Sequence, residues 1–537
     1  MKLEKFFKRK LKIKKIKSEF WLILIVFFAV IVKLIFFVGL VGSDPQDDGI
    51  YYNNAYGIYK FGIQKFSSYR NVGKDYLANP AETFAFRPMV NYPIAFLFKI
   101  FGPGENSASL WAFICSVLGI ITIFYLGKLL INETSGLLAA FLLSINPLDV
   151  IFSTRITSDV PLAFFMALTV LLFLSGLKKN KNKLYFLAGI TLGLAYLVKI
   201  LALSIVPFVL VYYLYQWYKI KKFQKGLFFL GFLIVFSCEA IFYYAQSEDF
   251  LLNYHITSSA YKFKYEREGY GTLKYGLLNI YYNTGVPIFH LENVFGLATH
   301  RPGVNLAGYF YFLIIPAIVY SLYKRKNYFL VFWGVALFLY LEFGFVSIKP
   351  DFEKGIIHYY MIFKDPRFLT LVSYPFMLLL SYFFYAILKF NKIVFLIIFT
   401  ALIASSFYYI YKDYLFYRGS LNDLRVASEF ISNNPNNLFY SDFIGINNID
   451  IITNHKLTNL RYMNTETKME DLNNSYVILG GSRGVDIVTD HVLTYLPDFA
   501  KNITKSESIP KNWKLVLTVT GEIIPIRQYD LKIYYVS

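Results

Sequence analysis

Long apolar runs separated by short polar loops dominate the chain. The first reads from Trp21 to Val41 and carries one charge, Lys33. It is long enough to cross a bilayer, which takes about 20 residues, and too long for the core of a signal peptide. Further runs follow at 108–130, 134–153, 158–177, 184–199, 201–218, 226–246, 305–323, 327–347, 367–388 and 392–412. Each is near the length of a spanning helix, so about 11 transmembrane helices are expected. Longer polar segments interrupt them at 42–107, 247–304 and 348–366. Beyond residue 413 the pattern shortens. Ser420 can cap a helix from Leu421 to Ile431 that stops at Asn433-Asn434-Pro435. Leu438–Tyr440, Tyr476–Leu479 and Lys514–Val519 read as strands. The last stretch alternates, with Leu531, Ile533 and Tyr535 on one face and Asp530, Lys532 and Tyr534 on the other.

Charge gives these spans a direction. The first 20 residues are basic, with Lys8, Arg9, Lys10, Lys12, Lys14, Lys15 and Lys17 close together. Such a cluster beside a span suits the anionic cytoplasmic leaflet. With alternating spans, Lys178–Lys183, Lys219–Lys225, Lys324–Lys326 and Lys389–Lys392 all fall on that same side. Basic loops mark the cytoplasmic face, so residues 413–537 are expected outside. The expected fold is an α-helical polytopic membrane protein with an extracytoplasmic mixed α/β domain at its C-terminus.

Composition agrees. The chain is 56% hydrophobic and 20% aromatic, with a mean hydropathy of +0.45. Its formal charge of +19 sits in loops between spans, which points to a bilayer rather than to nucleic acid. Two cysteines, Cys115 and Cys238, both within apolar runs, make no disulfide or metal framework. The six histidines show no zinc spacing.

The outer side collects the chemistry. Asp47 and Asp48 follow the first span, and Tyr51, Tyr52, Tyr56 and Tyr59 come next at a spacing that suits a short interfacial helix. Arg87-Pro88, Arg155 and Asp159 in the turn Ser153–Asp159, Lys199 within a long apolar run, and Arg367 at the head of a late span complete the set. Each has a plainer reading: an aspartate caps the helix, and a basic residue at a span end extends to the headgroups. The segment 247–304, with His255, Tyr261, Tyr265, Glu266, Glu268, His290, His300 and Arg301, is either a lid or an aromatic belt. Gly480–Gly484 reads as a strand-to-helix turn or a phosphate cradle, and Asn473-Asn474-Ser475 and Asn502-Ile503-Thr504 as acceptor sequons.

These motifs resemble, in order, those of the GT-C superfamily of polyprenyl-phosphate-dependent glycosyltransferases, of the protein O-mannosyltransferase and aminoarabinose-transferase type. The first-loop pattern Asp-(Glu/Asp)-x-x-Tyr-x-x-x-Ala matches Asp47-Asp48-Gly-Ile-Tyr51-Tyr-Asn-Asn-Ala55. A Lys/Arg-Pro element is similar to Arg87-Pro88, with Tyr92-Pro93 after it. Ser144-Ile-Asn-Pro147 and Ser153–Asp159 resemble the Ser-Pro and Ser-Arg turn elements, Gly189–Lys199 the Gly-x-x-x-Gly-Leu-Ala-x-Leu-x-Lys element, and Arg367-Phe-Leu the late Arg element. The resemblance implies a donor sugar on a polyprenyl phosphate, used at the outer leaflet. It implies Asp47 as general base for an inverting displacement, and Arg87, Lys199 and Arg367 holding the leaving phosphate. Asp48 and Asp159 then position groups or shape the acceptor site, and Arg155 either joins the cations or pairs with Asp159. Tyr51 and Tyr52 line the donor or acceptor. The acceptor is a glycan, a glycolipid or a protein. No cofactor is assigned, and a divalent metal between carboxylates stays open. Two rivals stand beside this: a transporter or lipid flippase, and a transferase of diphosphate-linked oligosaccharide. No Trp-Trp-Asp element of the latter occurs.

Overall fold

A computed structural model of the chain describes residues 18–40, 45–62, 87–220, 226–255, 257, 309–351, 356–361, 366–419, 421–464, 466–480, 497, 499–500, 503, 509–519 and 530–537. The basic N-terminus, most of the expected lid, Ser420, residues 481–484 of the glycine turn and Asn502 of one sequon lie outside them.

Each apolar run contains a helix. In chain order these are α1 (Ser18–Ile35), α2 (Pro45–Phe61), α3 (Pro88–Phe101), α4 (Glu105–Leu130), α5 (Glu133–Ser144), α6 (Pro147–Ser153), α7 (Asp159–Lys179), α8 (Asn182–Val198), α9 (Val206–Ile220), α10 (Leu227–Ser247), α11 (Phe310–Tyr323), α12 (Tyr328–Phe343), α13 (Thr370–Phe390) and α14 (Lys392–Gly419). α1, α4, α7, α10, α13 and α14 are long and apolar enough to cross a membrane, and the bent pair α5–α6 adds a seventh span among the described residues. The other runs form shorter apolar helices: α8 of 17 residues, α9 of 15, α11 of 14 and α12 of 16. α1 exposes Ile23, Phe27, Leu34 and Ile35, and α14 exposes Ile393, Leu396 and Ile397. Contiguous bare apolar surface of this kind belongs in lipid. The protein is a multi-pass membrane protein.

Three local departures matter. The run 134–153 is not one rod: it bends by 57° between α5 and α6. Asn146 caps α6, accepting from the Leu148 amide at 3.0 Å, and Pro147 takes the first helical position, where its missing N–H costs nothing. The run 327–347 stops as helix at Phe343, because strand β1 (Phe345–Asp351) starts there and pairs antiparallel with β2 (Ile356–Met361). The expected outer loop 42–107 contains both the short tyrosine helix α2 and a second helix, α3.

The bundle centre is α4, α5, α7 and α13, the last buried almost continuously from Thr370 to Ser381. α8 meets α10 backbone to backbone: a Cβ on Gly189 would collide with the Phe228 carbonyl, and one on Gly231 with the Phe186 carbonyl. Small residues allow such approach between helices in lipid.

The C-terminal part is a mixed α/β domain. α15 (Asn422–Ser432) and α16 (Phe443–Ile452) accompany a five-stranded sheet in the order β4-β3-β5-β7-β6, built from β3 (Phe439–Ser441), β4 (Leu460–Tyr462), β5 (Ser475–Gly480), β6 (Trp513–Val519) and β7 (Leu531–Val536). β3 runs parallel to β4 and β5, while β7 is antiparallel to β5 and β6. α15 begins after Leu421, with no side-chain cap. Both sheet faces are covered: Leu531 and Ile533 join the main core, and Tyr534 and Val536 join a second cluster with Trp513 and Val477.

Candidate active site

The site grows from the turn between α6 and α7. α6 is a half-helix whose end is stitched to the segment after α1: Gly39 donates to the Thr154 carbonyl at 2.9 Å and Val38 to the Thr154 hydroxyl at 3.3 Å. The turn then presents Arg155, Ser158 and Asp159. Asp159 opens α7, where a helix N-terminus favours an anion. It is wholly buried, and Lys199 Nζ lies 2.8 Å from Oδ1 and Arg367 Nε 3.5 Å from Oδ2. Thr157 also reaches it, at 3.5 Å.

Lys199 is available because α8 ends at Val198. The backbone at Lys199 is extended (φ −164°, ψ 134°) before a 3-10 turn over Ile200–Ile205. The helical run breaks at the lysine, whose ammonium also sits 4.1 Å above the Phe368 ring. Arg87 precedes Pro88 at the head of α3. It donates to the Tyr51 and Ser158 hydroxyls, and its charge acts on Asp159 as a third cation. Tyr51 is buried on α2 and reaches Ser158 at 3.3 Å.

Asp48 is the fourth residue of α2 and buried. Arg155 Nη2 lies 3.4 Å from its Oδ1, and the guanidinium packs between the rings of Phe152 and Tyr417. The sequence left Arg155 either among the cations or opposite Asp159; the structure sets it opposite Asp48. The backbone of Asp47 lies in α2, and its side chain is outside the described residues. Tyr52 turns the other way, donating to Asn454 Oδ1 at 3.1 Å, which separates it from Tyr51.

Among the described residues, Asp48 pairs with Arg155, whereas Arg87, Lys199 and Arg367 gather around the carboxylate of Asp159. Asp159 is 0% exposed while Lys199 and Arg367 keep 10% and 14% of their side chains exposed. The carboxylate is sealed and two of the cations beside it are partly exposed, an arrangement suited to an incoming anion. Among the described residues, no three of His, Cys, Asp and Glu form a group that could hold a metal ion.

Sequence reasoning missed three features. Lys33 pairs with Asp149 at 2.6 Å inside the bundle; the lysine stood out in its run, but its partner did not. Glu239, an acid within the run 226–246, accepts from Asn253 at 3.0 Å and has Tyr196 and Tyr243 beside it. His455 and Asn454 meet α2 from the C-terminal domain, and no local pattern announced them.

Fold and site together define a polytopic membrane protein with a buried carboxylate among cations. Residues 83–242, which include Arg87, Arg155, Asp159 and Lys199, match the family model of dolichyl-phosphate-mannose-protein mannosyltransferases. The fold is similar to that of ArnT from Cupriavidus metallidurans in the apo state, with a TM-score of 0.50 and 13% identity over 96% of this chain and 98% of that one. ArnT bound to undecaprenyl phosphate matches with a TM-score of 0.51 and 12% identity over the same shares, 96% and 98%. The apo oligosaccharyltransferase of Archaeoglobus fulgidus gives 0.53 and 14% identity, over 92% of this chain and 72% of that one. Comparison with the curated proteins gives no match. The resemblance read from the motifs is borne out in the fold and in this matching segment.

Proposed function

We propose that this protein is a membrane glycosyltransferase that moves a sugar from a polyprenyl-phosphate carrier to an acceptor hydroxyl, with inversion. The observation that carries this reading is the convergence of Arg87, Lys199 and Arg367 on one buried carboxylate, Asp159. A phosphate monoanion fits beside a cluster of three cations. ArnT, which shares the fold, is known bound to undecaprenyl phosphate. The family matched by residues 83–242 is described by a dolichyl-phosphate sugar.

The chemistry follows from charge. The three cations draw electrons toward the phosphate as the bond between it and the anomeric carbon breaks. Fixed cations in a low-dielectric site act most where charge develops. The acceptor oxygen forms its bond to the anomeric carbon from the opposite face, and its proton passes to the Asp47 carboxylate. The polyprenyl phosphate leaves with the bonding pair. Asp48, neutralised by Arg155, fixes the start of α2. The acceptor is a protein, glycolipid or glycan hydroxyl.

The site faces outward in this reading. Asp159 and Lys178–Lys179 stand at opposite ends of α7, and basic residues mark the cytoplasmic end. The C-terminal domain then lies outside. A second reading, transfer of a diphosphate-linked oligosaccharide, draws on the likeness to the A. fulgidus enzyme; a donor carrying two phosphates would occupy the same cations. Asp47→Asn, assayed in membranes supplied with radiolabelled polyprenyl-phosphate sugar, is expected to lose about 10²–10⁴-fold in rate, the usual worth of a general base. Parental activity in that variant removes Asp47 from the mechanism.

A further inference from the structure

The C-terminal domain carries no recognisable motif, yet it meets the membrane part at the helix that holds the aspartate pair. α16 lies across α2, with Ile451 against Gly49. The turn after α16 contains two successive non-glycine residues with left-handed backbone, Asn454 (φ 53°) and His455 (φ 56°). Such residues persist where the surroundings over-determine them, and they cluster at functional sites.

Here the surroundings are α2 itself. Asn454 Oδ1 accepts from the Tyr52 hydroxyl at 3.1 Å. The His455 ring stacks on Tyr56, with centroids 4.1 Å apart and planes 25° apart, and lies 5.9 Å from the Tyr52 ring. Asp450 holds the histidine from behind: its carboxylate is 3.7 Å from Nδ1, and its carbonyl accepts from the His455 amide at 2.7 Å. Tyr52 is fully buried and rests on Phe98 of α3, 5.1 Å away. Burial pushes its phenol up, so it stays a donor. Arg425 grips Glu105 with two hydrogen bonds, 3.1 and 2.7 Å, and anchors the domain beside this contact. The adjacent tyrosines of α2 therefore divide their work. Tyr51 faces Arg87 and Ser158 in the site, and Tyr52 faces the C-terminal domain.

We infer that Asn454 and His455 are positioning residues of the proposed transferase, which hold α2 against α3 so that Asp47 and Asp48 stay in register with the cations around Asp159. This rests on the transferase reading given above. In this arrangement the C-terminal domain completes the catalytic geometry from outside the bundle, without supplying a reacting group. The contact is specific: one acceptor atom and one stacked ring, presented on a backbone conformation that few residues adopt.

The test separates the contact from the backbone that presents it. Asn454→Gly keeps the left-handed conformation, which glycine adopts freely, and removes the acceptor. Asn454→Asp keeps an acceptor at the same place. In the full-length protein, Asn454→Gly and Tyr52→Phe are each expected to lower kcat by roughly 10–100-fold, the scale of a misplacement of about 1 Å at a reacting centre. KM for the lipid donor stays unchanged, because the phosphate is held elsewhere, and Asn454→Asp retains most of the activity. The Tyr52→Phe/Asn454→Gly pair falls no further than either single variant, as residues sharing one interaction do. A second arm needs no substrate: amide exchange over 45–61 is expected to quicken in Asn454→Gly and Tyr52→Phe and to stay parental in Asn454→Asp. Parental exchange in both single variants overturns the inference, and so does a raised KM at unchanged kcat. If the parent protein transfers no sugar, the transferase reading fails while the exchange arm still decides whether the clamp exists.

Discussion

Asp149 and Asp159 flank the same turn, and both are buried beside cations, yet they belong to different kinds of structure. Asp149 has one cation, Lys33, at 2.6 Å, and Ser116 donates to the same carboxylate oxygen at 2.6 Å. Lys33 in turn donates to Ser153 at 3.0 Å and is 0% exposed. That cluster is neutral and closed. It ties α1 to α6, and through α6 to the turn carrying Arg155 and Asp159. Asp159 has three cations around it, two of which reach the surface. Charged residues within spans are costly and are kept for a reason. Exposure tells the two apart: the Lys33–Asp149 pair is sealed among the helices, whereas Lys199 and Arg367 keep part of their side chains exposed beside Asp159.

The largest way to break the comparison is Lys33→Met. It leaves the Asp149 charge buried without its cation, which costs about 3–5 kcal/mol when a buried pair is halved. A steep fall in melting temperature of the detergent-solubilised protein is expected. Lys33→Met/Asp149→Leu removes both charges and is expected to recover most of that loss, as a closed pair predicts. Next comes Lys199→Met. It still leaves two cations on Asp159, so the melting temperature changes little, while kcat drops about 10²–10³-fold, the typical loss when one electrostatic group is removed from a transition state. Should Lys199→Met unfold the protein and leave the specific activity of the survivors intact, the two clusters are of one kind. The finest distinction is Arg87→Lys. The charge remains, but the planar guanidinium whose Nη1 donates to both Tyr51 and Ser158 is replaced by a flexible point charge. One lost hydrogen bond is about 1 kcal/mol, which is a little under tenfold in rate, readable as a drop in kcat/KM.

Much of the fold was legible because spans leave long apolar runs that local sequence cannot disguise. Four strands of the C-terminal sheet were readable as short runs or alternation, whereas the three-residue β4 and helix α16 were not. The break at Asn146-Pro147 was present as an N-cap followed by a proline, but hydropathy averages over it and the run looked continuous. The β1–β2 hairpin went unread because Phe345–Ser347 continues an apolar run. The site residues were found through their motifs. The resemblance also grouped Arg87, Lys199 and Arg367; that Asp159 lies among them was not read, since Asp159, Lys199 and Arg367 meet only when α7, α8 and α13 pack. Arg155 shows the limit: its neighbour in sequence, Asp159, is not its partner, and Asp48, over a hundred positions away (|i−j| = 107), is. Lys33 announced itself as a lone charge, whereas Asp149 sat in a short turn where an aspartate is unremarkable. Asn454 and His455 had no signal, because the left-handed backbone that presents them is set by tertiary contacts.

The glycine seam between α8 and α10 has a mechanical corollary. Where main chains touch, no rotamers intervene to be reshuffled, so the two helices travel as one stiff plate. Lys199 hangs from the edge of that plate. Any rearrangement around Asp159 is therefore expected on the side of Arg367, which leads into α13 by a single 3-10 turn.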